Sequence, residues 1–411
     1  MSGAGVSPRK ALIAMSGGVD SSVAAHLMLE QGYECIGITL KLFTNDDIGE
    51  AENDPGFGTT VTLPRDGGTG QYGGTGGKAG TGEIKSQCGN AGASAHIHQG
   101  CCSLSDVNDA RNVAHRLGMP HYVLNFADDF RDQVIRRFID TYERGATPNP
   151  CIDCNRYIKF ERLLLRAQQL EFDTIVTGHY ARVERDDASG RFLLKKALDS
   201  KKDQSYVLYA TTQEQLSHTQ FPLGSLTKSE VRRIAEEQGF INERKHDSQD
   251  ICFVPDRDYA GFIERYTGRT GEAGNIVDVT GTVLGKHRGL IRYTIGQRRG
   301  LGVSSPAPLY VAAKSAAENT VTLGPEESLY TKSLTADNIN LIAYAKLDRP
   351  MRVRVKTRYL QTEQDAVVEQ IGNDTIRVEF DQPQRAVTTG QAVVLYDGDV
   401  VVGGGTIREA E

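Results

Sequence analysis

Residues 10–43 read KALIAMSGGVDSSVAAHLMLEQGYECIGITLKLF. The opening KALIAM is an apolar run of strand length. The stretch SSVAAHLMLEQG is helical in character, and Gly32 stands where a helix C-cap glycine belongs. YECIGITLKLF is the next strand. A strand, a glycine turn, a helix and a second strand open a parallel α/β domain. The turn itself, SGGVDSS from Ser16 to Ser22, leaves bare backbone amides at Gly17 and Gly18 just before a helix N-terminus. That combination cradles anions. It lacks the lysine of the common nucleoside-triphosphate loop.

The alternation continues outward from this unit. A helix is predicted around residues 105–117, a strand at HYVLNF, a helix at FRDQVIRRFIDTYERG and a strand at DTIVTGHY, which takes the α/β domain to about residue 205. Within it, 15 of the 55 residues from 46 to 100 are glycine. Such a stretch buries too little apolar surface to offset its ordering entropy, so it is expected to be a flexible surface insertion. Its Cys88, His96, His98, Cys101 and Cys102 are a weaker candidate for metal ligands. Residues 206–275 turn helical and form an expected linker domain. TKSEVRRIAEEQG opens there on a capping box, Thr227 with Glu230. From 276 to 411 the pattern is β. MRVRVKTRY alternates strictly, and Gly-Asn-Asp and Asp-Gly turns mark hairpins, which points to a small antiparallel barrel.

Composition narrows the function classes. The chain has 411 residues and a formal charge of −6, so any nucleic-acid surface must be local. Seven cysteines in a chain of this length favour a reducing compartment, and the expected location is the cytoplasm. No apolar run is long enough to span a bilayer, so no membrane partner is expected.

Two cysteines stand three apart in NPCIDCN, residues 149–155. From the residues alone the pair could clip a metal, cycle as a disulfide, place a nucleophile beside a helper, or be two ordinary thiols. Sulfur chemistry needs a thiolate, and a free thiol with a pKa of about 8.5 is mostly protonated at neutral pH. Cys154 precedes the predicted helix NRYIKFERLLLRAQQ, whose N-terminus would lower its pKa. Cys252, in ICFV, is equally readable as a buried core thiol. Arg352, Arg354, Lys356 and Arg358 alternate along one predicted strand face, either as a phosphate-tracking stripe or as a solvated edge. GQRRGLG adds two arginines on a glycine-rich loop.

SGGVDSS resembles the PP-loop of ATP pyrophosphatases. TPNPCIDCNRYIKF, TGHYARV, DSKKDQSYVLY, FPLGSLTKSEVRRIAEEQGF, DSQDICF, YTIGQRRGLG, VKTRY and TTGQAVVLYDGDVVVGGG, in that order, are similar to one branch of that family, the tRNA-specific 2-thiouridylases. The resemblance implies an adenine nucleotide alpha hydrolase-like PP-loop domain, a small linker domain and a C-terminal β-barrel that binds tRNA. It implies adenylation of the 2-oxygen of the wobble uridine and sulfur delivery from a cysteine persulfide. Cys154 matches the nucleophile and Cys252 the persulfide carrier, and the two would close a disulfide as sulfur leaves. Ala14, Met15, Ser16, Gly17, Gly18, Val19, Asp20, Ser21, Leu40 and Gly178 match the ATP contacts, with Asp20 orienting the loop or holding Mg²⁺. Asn149, Pro150 and Cys151 would face the target base. Lys202, Asp203, Gln204, Arg358, Tyr359 and Gln391 match tRNA contacts, and His179 a tRNA-facing position. The implied partners are tRNA and a persulfide-carrying donor protein.

At Cys151 the chain departs from the many relatives that carry aspartate there. The departure leaves two arrangements open. Cys151 is a bystander to a Cys154–Cys252 pair, or the three thiolates hold a [4Fe–4S] cluster. Two other functions compete with thiolation. A PP-loop ligase amidating a small molecule would have no use for two distant cysteines. A non-catalytic RNA-binding module with a zinc clip at 151 and 154 lacks a second C-x-x-C.

Overall fold

The structure, a computed structural model, describes residues 9–43, 104–243, 245 and 251–411. The glycine-rich segment and its Cys/His set lie outside the described residues. The chain starts with strand β1 (Lys10–Ala14), helix α1 (Val19–Glu30) and strand β2 (Glu34–Lys41). Gly32 has φ +79°, the left-handed conformation that ends α1. Helix α2 (Leu104–Arg116) and strand β3 (His121–Asn125) follow. Helix α3 covers 127–143 and helix α4 covers 150–169. Each holds a π-helical stretch, at Arg131–Ile135 and Cys154–Arg162.

Strand β4 (Thr174–Thr177) returns to the far side of β1, so the parallel order is β3-β2-β1-β4. The chain steps outward one way from β1 and then resumes on its other side. This creates a crevice at the carboxyl ends of β1 and β4, where ligands bind in open α/β sheets. Ala11, Leu12 and Ile13 are fully buried, as a strand covered on both faces requires.

Strands β5 (Ala181–Arg185) and β6 (Phe192–Lys196) leave this sheet as an antiparallel hairpin. Strand β7 (Thr219–Gln220) rejoins it, parallel to β4. Helix α5 (Lys228–Glu237) begins on the expected capping box, and its Val231 and Ala235 share a core with Val23 and Ala24 of α1. Leu223 and Phe240, from the segment expected to form a linker domain, lie in this same core. Helix α6 (Tyr259–Thr267) sends Phe262 and Ile263 into the core that holds Phe138 of α3 and Phe160 of α4.

Strands β8 (Gly274–Asp278), β9 (Val283–His287), β10 (Tyr310–Ser315) and β11 (Thr320–Gly324) form a sheet of order β10-β11-β8-β9 with its own small core around Ile276, Val311 and Leu323. Strands β12 (Tyr330–Leu341), β13 (Met351–Lys356), β14 (Gln364–Gly372), β15 (Thr375–Arg385), β16 (Ala392–Asp397) and β17 (Val400–Ala410) follow. They pair in the order β12-β15-β14-β13-β16-β17, and β12 also pairs with β17, which closes the barrel. Closure leaves no free edge among these six strands. The hairpin β5–β6 attaches to β17 and ties the first domain to the barrel. The β region thus divides into a middle sheet and a closed barrel.

No helix among the described residues is long and apolar enough to cross a membrane.

Candidate active site

The loop after β1 lies at the crevice. Gly17 has φ +72°, and a Cβ there would lie 2.3 Å from the Asp106 backbone oxygen. A Cβ on Gly178, just beyond β4, would lie 2.7 Å from the Ser21 amide. Both positions need glycine because the backbone segments approach too closely for any side chain. Gly18 caps α1 and offers no side chain to the first-turn amides. Ser21 Oγ accepts from the Ser16 amide (3.2 Å) and donates to the Gly18 carbonyl (3.1 Å), with Ser16 Oγ 3.5 Å away. Met15, Val19 and Leu40 are buried beside the loop and Ala14 ends β1, so the structure brings the expected ATP residues together on adjoining strand ends. Amide donors at a helix N-terminus and two hydroxyls suit a polyphosphate.

Asp20 is already engaged. Lys228 Nζ lies 2.8 Å from each of its carboxylate oxygens, and the Tyr180 hydroxyl donates to Oδ1 at 2.8 Å. These three bonds hold Asp20 in place in the first turn of α1. The far side of the loop is tied as well. Asn242 Nδ2 donates to the Gly17 carbonyl (3.0 Å) and to Ser22 Oγ (2.9 Å). Lys245 Nζ reaches Asp106 (2.5 Å) and Asp109 (2.8 Å). Sequence reading missed Tyr180, Lys228, Asn242 and Lys245. The only trace of them was the position of Tyr180 and Lys228 within quoted motifs.

NPCIDCN does not precede its helix but begins it. Asn149 is the N-cap and Pro150 the first helical residue, where its missing N–H costs nothing. Cys151 thus lies in the first turn and is exposed, while Cys154 is half-buried one turn on, at the start of the π-helical stretch. The dipole effect fades beyond the first turn, so it acts more on Cys151 than on Cys154. π-helical turns are frequent at functional sites. Cys154 and the half-buried Cys252 pack against the same core, which includes Phe138 and Phe253. Between the two cysteines of the motif, burial pushes the Asp153 carboxyl up to about 6 despite Arg137 and Arg156.

The barrel closes over this helix start. Gln391 Nε2 donates to the carbonyls of Thr147 (2.9 Å) and Pro148 (3.0 Å), and the Thr147 amide donates to Thr389 O (2.9 Å). Tyr359 donates to the Asp203 carbonyl at 3.2 Å, and its phenol is pushed up to about 12 by burial, then by Asp203 and Cys151. Arg358 Nη2 donates to the Ala386 carbonyl and to Thr388 Oγ1. The expected tRNA residues Arg358, Tyr359 and Gln391 thus converge with Asp203 and Cys151 at one seam.

In the 199–204 loop, the Lys202 amide donates to Asp199 O (3.0 Å), and Gln204 Oε1 accepts from the Tyr180 amide (2.9 Å). His179 is only 8% exposed, lies between the rings of Phe160 and Phe221, and is 2.7 Å from Thr177 Oγ1. Burial, then Lys159, holds its pKa well below the usual range, so the imidazole is neutral.

Two arginines of the barrel stripe face acids. Arg352 makes two bonds to Asp381, at 2.8 and 2.7 Å, and Arg354 lies 3.8 Å from both Glu363 and Asp365. Arg358 leaves the strand altogether. The counter-charges come from Asp365 of β14, Asp381 of β15 and Glu363 just before β14. Among the described residues, no three His, Cys, Asp or Glu side chains form a group that could hold a metal ion. Cys151, Cys154 and Cys252 do not gather into such a group, so their arrangement does not fit a [4Fe–4S] cluster.

Comparison with known proteins bears on all three domains. Residues 9–60 and 84–256 match a family model described as tRNA methyl transferase HUP domain. Residues 260–325 match tRNA methyl transferase PRC-barrel domain, and residues 331–407 match aminomethyltransferase beta-barrel domain. The tRNA-specific 2-thiouridylase MnmA of Clostridioides difficile (strain 630) is 44% identical over 98% of this chain and 99% of its own length. The protein of the same name from Acetivibrio thermocellus is 47% identical over 98% of this chain and 100% of its own length. That of Symbiobacterium thermophilum is 47% identical over 98% and 93%.

Proposed function

The chain belongs to the tRNA-specific 2-thiouridylase family, and from that premise we propose that it adenylates the 2-oxygen of the wobble uridine in tRNA and replaces it with persulfide sulfur. The enzyme class is tRNA sulfurtransferase. The observation that carries the ATP half is the phosphate cradle. Gly17, Gly18, Ser16 and Ser21 lie at the switch point between β1 and β4, with Gly178 closing on Ser21. The pyrophosphate of ATP would lie on the α1 amides, in line with a uridine oxygen attacking the α-phosphate. Adenylation converts an oxygen that is hard to displace into one that departs with AMP.

The sulfur half is assigned to Cys252 and Cys154. A donor protein loads Cys252 as a persulfide. The terminal sulfur attacks C2 of the adenylated uridine, and AMP leaves with the former O2. The Cys154 thiolate then attacks Cys252 Sγ. The sulfur–sulfur bond to the base breaks, 2-thiouridine is released, and a Cys154–Cys252 disulfide forms. A dithiol reductant restores both thiols before the next loading. Packing of both cysteines against one core supports the pairing. Asn149, Pro150 and Cys151, under the seam of Tyr359 and Gln391, would receive the extruded base.

Pyrophosphate release from ATP, measured with and without tRNA, tests this reading. Release should require tRNA and fall at least about 100-fold in Ser16→Ala, the scale of losing a preorganised donor. Parental release by that variant would sink it. A methyl transfer, the activity in the matched model's description, releases no pyrophosphate and is separated by the same assay.

A further inference from the structure

The phosphate loop and the 199–204 loop are held by the same two side chains. Tyr180 is 2% exposed and Lys228 8% exposed, and both grip Asp20. Each also has a second hold, on the 199–204 loop. The Tyr180 amide donates to Gln204 Oε1 at 2.9 Å, and the Gln204 amide donates back to the Tyr180 carbonyl at 2.8 Å. The Lys228 amide donates to Asp199 Oδ2 at 3.0 Å, and Asp199 Oδ1 accepts from Lys201 at 3.1 Å. Lys228 Nζ also stands 5.8 Å from the centre of the Tyr180 ring, so the two anchors touch each other's field. A displacement of residues 199–204 therefore reaches Asp20 by two short routes, each one residue long.

Charge gives the connection a consequence. Asp20 is an acid in the first turn of the helix that would receive a polyphosphate. Unless it is neutralised, it repels the ligand. Lys228 supplies the neutralising charge from a buried position, where its attraction is little screened. How well Lys228 and Tyr180 hold Asp20 sets both the shape of the loop and its net charge.

We propose that Tyr180 and Lys228 are positioning residues that couple occupancy of the 199–204 loop by RNA to the phosphate loop, so that tRNA and ATP each tighten the binding of the other. This rests on the reading that the first loop takes tRNA and the second ATP. Coupling of this kind is reciprocal, so one factor must appear in both directions.

The test uses the full chain, unmodified tRNA and α,β-methylene-ATP, with each affinity measured in the presence and absence of the other ligand. The parent should show a factor on the order of tenfold both ways. Tyr180→Phe, which removes one hydroxyl and keeps the ring, should lower the factor towards one while affinity for tRNA alone stays within about twofold. Lys228→Met should do the same, and Lys228→Arg should retain part of the factor. A Tyr180→Phe protein that keeps the parental factor overturns the proposal. The clamp is then only structural, whatever happens to the melting temperature. A parent that binds both ligands with a factor of one also overturns it. A parent that binds neither ligand fails the underlying reading instead.

Discussion

His121 sits with Nε2 2.9 Å from the Thr39 hydroxyl, and burial, then Arg111, lowers its pKa to about 4. The folded state thus resists a proton that the unfolded chain accepts near pH 6.5. Stability from this group is fully present above about pH 6.5 and is lost as pH falls towards 4, by on the order of 1 kcal/mol at this partly solvated ring. Urea unfolding across this range should show the loss in the parent, and His121→Gln should flatten it. An unchanged slope in the variant would refute the assignment. Single residues were unevenly legible in the sequence. Gly17 and Gly178 were expected at an ATP site, and the structure adds why each must be glycine. The role of Asp20 could not be settled, because Lys228 is 208 residues away and no local pattern joins them.

Elements were read best where their signals are local. The capping box of α5 is such a signal. Thr227 Oγ1 accepts from the Glu230 amide, while Glu230 takes the Thr227 amide at 2.7 Å. Thr227→Ala should cost about 1 kcal/mol in urea unfolding with an unchanged m-value. A loss below a few tenths would mean that packing alone fixes the helix start. The hairpins β14–β15 and β16–β17 also formed at the expected turns, with the turning residues 373–374 and 398–399 each within a residue of the expected Gly-Asn-Asp and Asp-Gly. The start of α4 was misplaced by about one turn, since Pro150 reads as easily as the end of a loop as the first residue of a helix. The π-helical stretch at Cys154 left no periodicity to find. The charged face of β13 was legible as a face, but its pairing with Asp381 and Glu363 depends on strand neighbours that alternation does not reveal.

At the scale of the molecule, the sequence divides where composition changes, and the structure joins the parts by contacts between distant segments. The hairpin β5–β6 lies within the α/β half of the sequence, yet it extends the barrel sheet. β7 and α5 fall within the helical stretch, yet they complete the parallel sheet and its cover. The barrel in turn holds residues 147–148 through Gln391, which fixes the approach to Asn149 and the two cysteines. Under the proposed function, the polyphosphate cradle serves to activate an oxygen and the two thiols to exchange it for sulfur. The fate of that oxygen is the most direct test. tRNA carrying ¹⁸O at C2 of the wobble uridine is thiolated in a single turnover, and the AMP released is weighed. The account predicts one ¹⁸O in AMP for each 2-thiouridine formed. Unlabelled AMP accompanying normal thiolation would contradict it.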